Sequence, residues 1–217
     1  MMKSEDRGRL YVLDLRSCGA DCWPALLSTL PPERQRRVRA CRRPEDRARL
    51  CGAGWLLQYA LAHAGISAEE QRFTQTPWGK PCLADRTKPH FSLSHSGSWV
   101  VCALSGAPVG VDVEQPRCTE AVARRYFLPA ELEALPDRSA GSLTRLWTAK
   151  EAFVKALGLG LTLPLTSFTV LLEPAPILRQ NQRPLPYRLH EYQLEDCPLC
   201  LCAVDDRPEP IHVSLGV

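Results

Sequence analysis

Apolar and polar positions along the chain recur with two periods, and the changes of period mark the elements. Residues 9–15, RLYVLDL, read as a strand. Pro31-Pro32 introduces an arginine-rich stretch that runs into an apolar helix through LCGAGWLLQYALAHAG, ending near Gly65. PWGKP, residues 77–81, is a turn by composition, with two prolines around a glycine. HFSLS and WVVCALS flank HSGS at 95–98, the pattern of a β-hairpin. VGVDVE at 109–114 alternates valines with Gly110, Asp112 and Glu114 and reads as a short strand. Helices are predicted near TEAVARRYF, PAELEAL and SLTRLWTAKEAFVKALG, and strands at SFTVLL, PYRLHEYQLE and LCLCAVD. Each half mixes helices with antiparallel-looking strands, without the regular alternation of a doubly wound sheet. The expected fold class is α+β, with one subdomain over residues 1–106 and a second over 107–217, joined near 105–109. No repeat is visible at the residue level.

A chain of 217 residues is long enough to bury a genuine core, and its 45% hydrophobic and 24% charged content is that of a soluble globular protein. The formal net charge is only +3, but eight arginines fall between Pro31 and Arg49. That excess suits either a solvated helix face or an anionic partner. Nucleic acid is not expected, because aromatic residues do not interleave with these arginines. The N-terminus lacks an apolar signal region. The longest apolar stretch, 157–172, is broken by two glycines, three threonines, a serine and a proline, so no membrane span is expected. The expected location is cytoplasmic, which makes the ten cysteines thiols. CPLCLC lacks a second pair at zinc spacing, and its small side chains suit a buried strand.

Candidate chemistry concentrates at few positions. Side chains alternate along a strand, so Asp112 and Glu114 project from one face, where each raises the other's pKa unless a cation lies between them. Glu151 and Lys155 stand four apart on a helix and share a face. They form either an ordinary surface ion pair or a third carboxylate and a cation approaching the first two. Three carboxylates around an open position suit Mg²⁺, and no His or Cys stands at a spacing that would favour zinc. Among 22 arginines the chain has only five lysines, and three of them are Lys80, Lys150 and Lys155, in and beside these motifs. A compact ammonium acts as a point charge on phosphate oxygens. Ser94 and His95 lie at a strand end; with no G-x-S-x-G elbow, a serine hydrolase is excluded. His95 is either a satisfied structural histidine or a donor to an anionic ligand.

WGKP, FSLSHS, VGVDVE and LWTAKEAFVKALGLGL, in this order and with Trp147 35 positions after Asp112, resemble the Sfp-type 4′-phosphopantetheinyl transferases. The resemblance covers roughly residues 30–172. It implies two similar α+β subdomains in a pseudo-twofold arrangement, acting as a monomer, with coenzyme A in the cleft between them. It implies transfer of the phosphopantetheine arm to a serine of an apo acyl or peptidyl carrier protein, with release of 3′,5′-ADP. On that resemblance Asp112, Glu114 and Glu151 hold Mg²⁺, with Mn²⁺ as the alternative ion. Asp112, Glu151 and Lys155 carry the chemistry. Glu151 accepts the serine proton directly or through a water held by the metal, and Glu131 stands as a remoter acid near the site. Lys155 and Lys150 neutralise the phosphates, and Ser94 and His95 contact them. Trp78, Gly79, Lys80 and Pro81 border the adenine. Arg34, Arg37 and Arg49 take the 3′-phosphate, although the family often carries lysine at the first two. The stretch after Arg117 is expected to help dock the carrier. Two rivals remain: a Mg²⁺-dependent phosphodiesterase, and a module that binds coenzyme A or a carrier without turnover.

Overall fold

Two sheets lie face to face, and each carries a long helix on its outer side. The computed structural model describes residues 8–18, 22–84, 89–204 and 207–214. The first sheet orders β12 (Pro210–Val213), β1 (Arg9–Asp14), β5 (Trp99–Ser105) and β4 (His90–Ser96). The second orders β10 (Arg188–Leu194), β11 (Cys197–Ala203) and β6 (Gly110–Val113). Two small sheets complete the set: β2 (Phe73–Gln75) with β3 (Pro81–Leu83), and β7 (Thr169–Leu171) with β8 (Ile177–Gln180) and β9 (Arg183–Pro184).

Alternation of side chains sorts the core into layers. Leu10, Val12 and Val101 of the first sheet meet Val111, Val113 and Leu199 of the second in one buried cluster. Tyr11, Leu13 and Val100 point the other way, onto Leu56, Leu57 and Leu61 of α3 (Pro44–His63). Cys200 and Cys202 point away from the seam into the cluster that contains Ala149, Ala152 and Phe153 of α6 (Ala140–Leu157). These thiols are small core side chains, and no disulfide joins any cysteine whose side chain is described. The order of layers is α3, first sheet, second sheet, α6. The α+β expectation holds, and each half repeats one plan, a long helix on an antiparallel sheet.

Three departures from the sequence reading have local causes. The arginine-rich stretch is not a continuous lead into α3. It forms its own helix, α2 (Pro32–Ala40), after α1 (Cys22–Thr29). Pro44 starts α3 at its first turn, and Arg43 before it is extended at φ −86°, ψ 130°, as a residue preceding proline prefers. The PWGKP turn also closes a hairpin, β2–β3, whose first strand is exposed throughout and so shows no alternation. The last departure is topological. β12 pairs in parallel with β1, so the end of the chain belongs to the first sheet. The chain thus returns from the second sheet to the first after β11. β12 covers an edge of β1 that would otherwise stand open.

The second half presents the helix that matters most for the site. After α4 (Glu120–Tyr126) and α5 (Pro129–Glu133), Ser139 caps α6 by accepting from the Ser142 N–H, and Gly158 at φ +70° ends it. Gly110 lets β6 lie directly on α6: a Cβ there would stand 1.9 Å from the Ala152 carbonyl oxygen and 2.4 Å from the Ala156 nitrogen. Both obstacles are backbone and cannot rotate away. Gly110→Ala is expected to cost about 3 kcal/mol or more, the upper end for overpacking. Thermal melting checks it, and a melting temperature within a degree of the parent refutes the contact.

Candidate active site

The helical period collects one wall. Trp147, Glu151 and Lys155 follow one another at four-residue steps on α6, so they form a single stripe. The strand period supplies the facing wall, where Asp112 in β6 and Glu114 just after it share a face. All five line one cavity of about 470 Å³, closed on its other side by Arg34 of α2 and by Ser94 and His95 of β4. A second cavity, about 260 Å³, is lined by Trp78, Gly79, Lys80 and Pro81, and it meets the first at Leu93 and Lys155. The two cavities form a cleft between the halves.

Asp112 is the most deeply placed acid of the cleft, with 4% of its surface exposed. Its Oδ1 accepts from Lys155 Nζ at 2.6 Å and from Ser94 Oγ at 2.8 Å, while its buried Oδ2 has no hydrogen-bond partner. Burial pushes its carboxyl above the ordinary range, with Lys155 and Ser94 pulling it back. Glu151 is raised too, by burial first and then by Asp112, with Lys155 opposing. Glu114 Oε2 accepts from Ser96 Oγ at 2.8 Å and from Arg117 at 2.9 Å. Among the described residues no three His, Cys, Asp or Glu side chains stand gathered around a metal position. Asp112 Oδ2 is thus a buried acceptor without a donor, while the Lys155 ammonium stands at the other oxygen of the same carboxylate.

The cationic end is less closed. Arg34 packs over Gly54, and burial lowers its pKa, with Arg37 adding to the effect. Among the described residues it makes no ion pair. Burial lowers the His95 imidazole as well, and Arg49 and Lys155 lower it further, which keeps the ring neutral near pH 7. Arg49 stands at the rim, tied to Asp46 at 2.5 Å and to the Gly97 carbonyl at 3.2 Å. Arg37 is exposed on α2. Trp78 is 53% exposed at the mouth of the second cavity, beside Gly79 at φ +84°.

Two predicted ligands are engaged elsewhere. Lys150 is a correction: it is fully buried, donates to Glu131 and to the Phe168 carbonyl, and stands 4.5 Å from the Phe168 ring centroid. One residue before Glu151 means about 100° around the helix, so the two cannot face the same cleft. Glu131 is drawn away with it, accepting also from the Leu128 and Val170 N–H groups. Lys80 lines the second cavity with its stem, but its ammonium donates to the carbonyls of Val109 at 2.9 Å and Lys155 at 2.5 Å. Burial first, and then Lys155, lowers it to about 8. Trp147, which lines the cleft, and Ser96, which holds Glu114, are not among the residues that the sequence singles out as ligands. Trp147 was legible from its four-residue step before Glu151. Ser96 was not, because its partner lies on the other half.

Two family models match the chain side by side. One, described as the 4′-phosphopantetheinyl transferase superfamily, covers residues 108–202, and the other, described as 4′-phosphopantetheinyl transferase, N-terminal, covers residues 18–106. The chain is 36% identical over 157 residues to the 4′-phosphopantetheinyl transferase Sfp of Bacillus subtilis (strain 168), spanning 67% of this chain and 68% of that one. It is 32% identical over 162 residues to the 4′-phosphopantetheinyl transferase gsp of Aneurinibacillus migulanus, spanning 70% and 66%. With the 4′-phosphopantetheinyl transferase HetI of a Nostoc strain it shares 35% identity over 148 residues, 63% and 62% of the two chains.

Proposed function

The chain belongs to the 4′-phosphopantetheinyl transferase superfamily, and we propose that its cleft holds coenzyme A for transfer of the phosphopantetheine arm to a serine of an apo acyl or peptidyl carrier protein. One observation carries the reading: the Trp147–Glu151–Lys155 stripe faces Asp112 and Glu114 across a single cavity, with Arg34 and His95 at its other side. The adenine lies against Trp78–Pro81, where the second cavity opens. Arg34 and His95 receive the 3′-phosphate, with Arg49 at the rim. Lys155 reaches the pyrophosphate from its present place on Asp112.

Asp112, Glu114 and Glu151 are the residues that fit Mg²⁺, because Asp112 Oδ2 is buried without a partner and burial and Asp112 itself hold Glu151 high. When bound, the ion supplies charge neutralisation on the pyrophosphate. Mn²⁺ has the same preference for oxygen ligands. Glu151 takes the proton from the carrier serine hydroxyl as its oxygen attacks the pantetheine-side phosphorus. The bond to the 3′,5′-ADP phosphate breaks, and Lys155 balances the charge that gathers on the phosphoryl oxygens. Positioning of both partners by the cleft contributes much of the rate. We place the protein in the cytoplasm as a monomer. That reading is supported by two halves that supply both walls of one cleft.

Intact-mass spectrometry of an apo acyl carrier protein incubated with the protein, coenzyme A and Mg²⁺ tests the reading. The expected result is a gain of one phosphopantetheine mass, lost when EDTA is added. A folded protein that binds coenzyme A but adds nothing to acyl or peptidyl carriers overturns it.

A further inference from the structure

The two main sheets also meet edge to edge, and the seam is made of serines. β4 ends the first sheet and β6 ends the second, and neither has a backbone ladder on the shared side. Instead the N–H of Val111 donates to Ser92 Oγ at 3.0 Å, that of Val113 to Ser94 Oγ at 3.4 Å, and that of Gln115 to Ser96 Oγ at 3.0 Å. Period two on both strands keeps these contacts in register. Two hydroxyls do more. Each gives its own proton to the carboxylate one residue before the amide it accepts: Ser94 to Asp112 Oδ1, and Ser96 to Glu114 Oε2, both at 2.8 Å. At Ser92 the equivalent neighbour is Gly110, which has no side chain.

We propose that Ser94 and Ser96 are positioning residues, an S-x-S on one half that holds the two carboxylates of the D-x-E on the other half in the orientation that binds the metal. The inference rests on reading Asp112 and Glu114 as Mg²⁺ ligands. Both serines are buried, at 8% and 3% exposure, so their hydrogen bonds to charged groups are not diluted by water. The competing donor to Glu114, Arg117, is 69% exposed and holds it weakly. An aspartate and a glutamate each lose freedom on binding a metal, and donors that fix them beforehand remove that cost. Loss of such outer partners typically weakens metal binding about 10- to 100-fold.

Ser92 is the internal control. Ser92→Ala and Ser96→Ala each remove one amide-to-hydroxyl bond of the seam, and Ser96→Ala alone also removes a bond to a carboxylate. Mn²⁺ is titrated into each protein saturated with coenzyme A, free ion being counted by its EPR signal, and melting temperatures are recorded alongside. The expected result is comparable loss of melting temperature in both variants, with Mn²⁺ affinity falling about 10- to 100-fold in Ser96→Ala and staying near the parent in Ser92→Ala. Ser96→Cys, whose S–H donates weakly, gives the same reading where the alanine variant does not fold. Equal Mn²⁺ affinity in the Ser92 and Ser96 variants overturns the inference while leaving the metal reading intact. A parent protein that takes up no Mn²⁺ overturns the metal reading, and the inference with it.

Discussion

Asp112→Asn is expected to slow phosphopantetheine transfer about 10²- to 10³-fold, the size of effect seen when one preorganised electrostatic contact in a reaction site is deleted, while coenzyme A in EDTA binds at least as tightly as to the parent. The two halves of this expectation have one cause. Asn keeps the shape of Asp, and its Oδ1 still accepts from Ser94, so the buried position stays filled. The charge goes, and with it an acid whose Oδ2 has no partner and whose carboxyl burial already disfavours in its ionised form. Coenzyme A is a polyanion, and a buried carboxylate facing its pyrophosphate repels it when no cation stands between them. Removing that repulsion helps metal-free binding, and removing the metal ligand harms the reaction. Initial rates on an apo carrier, calorimetric binding in EDTA and a melting curve measure the three quantities. A rate within tenfold of the parent, or coenzyme A affinity falling together with the rate, removes Asp112 from the role given to it here.

What the sequence made legible is what local periods determine. Period two places Asp112 beside Glu114, and period 3.6 places Glu151 beside Lys155; neither statement needs the rest of the fold. The same arithmetic puts Lys150 on a different side of α6, but its place in the W-x-x-K-E motif outweighed its phase. The seam serines lay out of reach for another reason. FSLSHS reads as a strand with polar residues on one face, and nothing local says that the polar face meets β6 rather than water. β12 is similar: a short strand that crosses back to β1 carries no mark of its destination.

Lys80 shows how closely the two halves depend on each other. Its ammonium joins the Val109 carbonyl, just before β6, to the Lys155 carbonyl in the last turn of α6. A cation suits that end of a helix, where carbonyls lack intrahelical donors. The WGKP turn of the first half therefore holds both walls that carry the acids. The turn proposed to border the adenine and the placing of Glu151 and Lys155 share one strut.

Lys150→Met is expected to lower stability by about 3–5 kcal/mol, the cost of breaking a fully buried ion pair. For a chain of this size that is a drop of roughly 6–20 °C in melting temperature, with the coenzyme A affinity of the folded protein unchanged. Lys150 and Glu131 are both without solvent exposure at their side chains, and the pair ties α5 and α6 to the chain around β7. Removing the lysine strands a carboxylate that the Leu128 and Val170 N–H groups stabilise only in part. Adding Glu131→Gln should restore part of the loss, because no uncompensated charge stays buried and the amide oxygen still accepts from one of the two N–H groups, which bond to different oxygens of Glu131. The double variant thus separates two accounts of the same lysine. A phosphate ligand would raise the Kd for coenzyme A with little change in melting, and Glu131→Gln would not repair it. A core ion pair moves the melting temperature, leaves the Kd alone, and is repaired by its partner; the burial of Lys150 and its contact with the Phe168 ring place it in the second case.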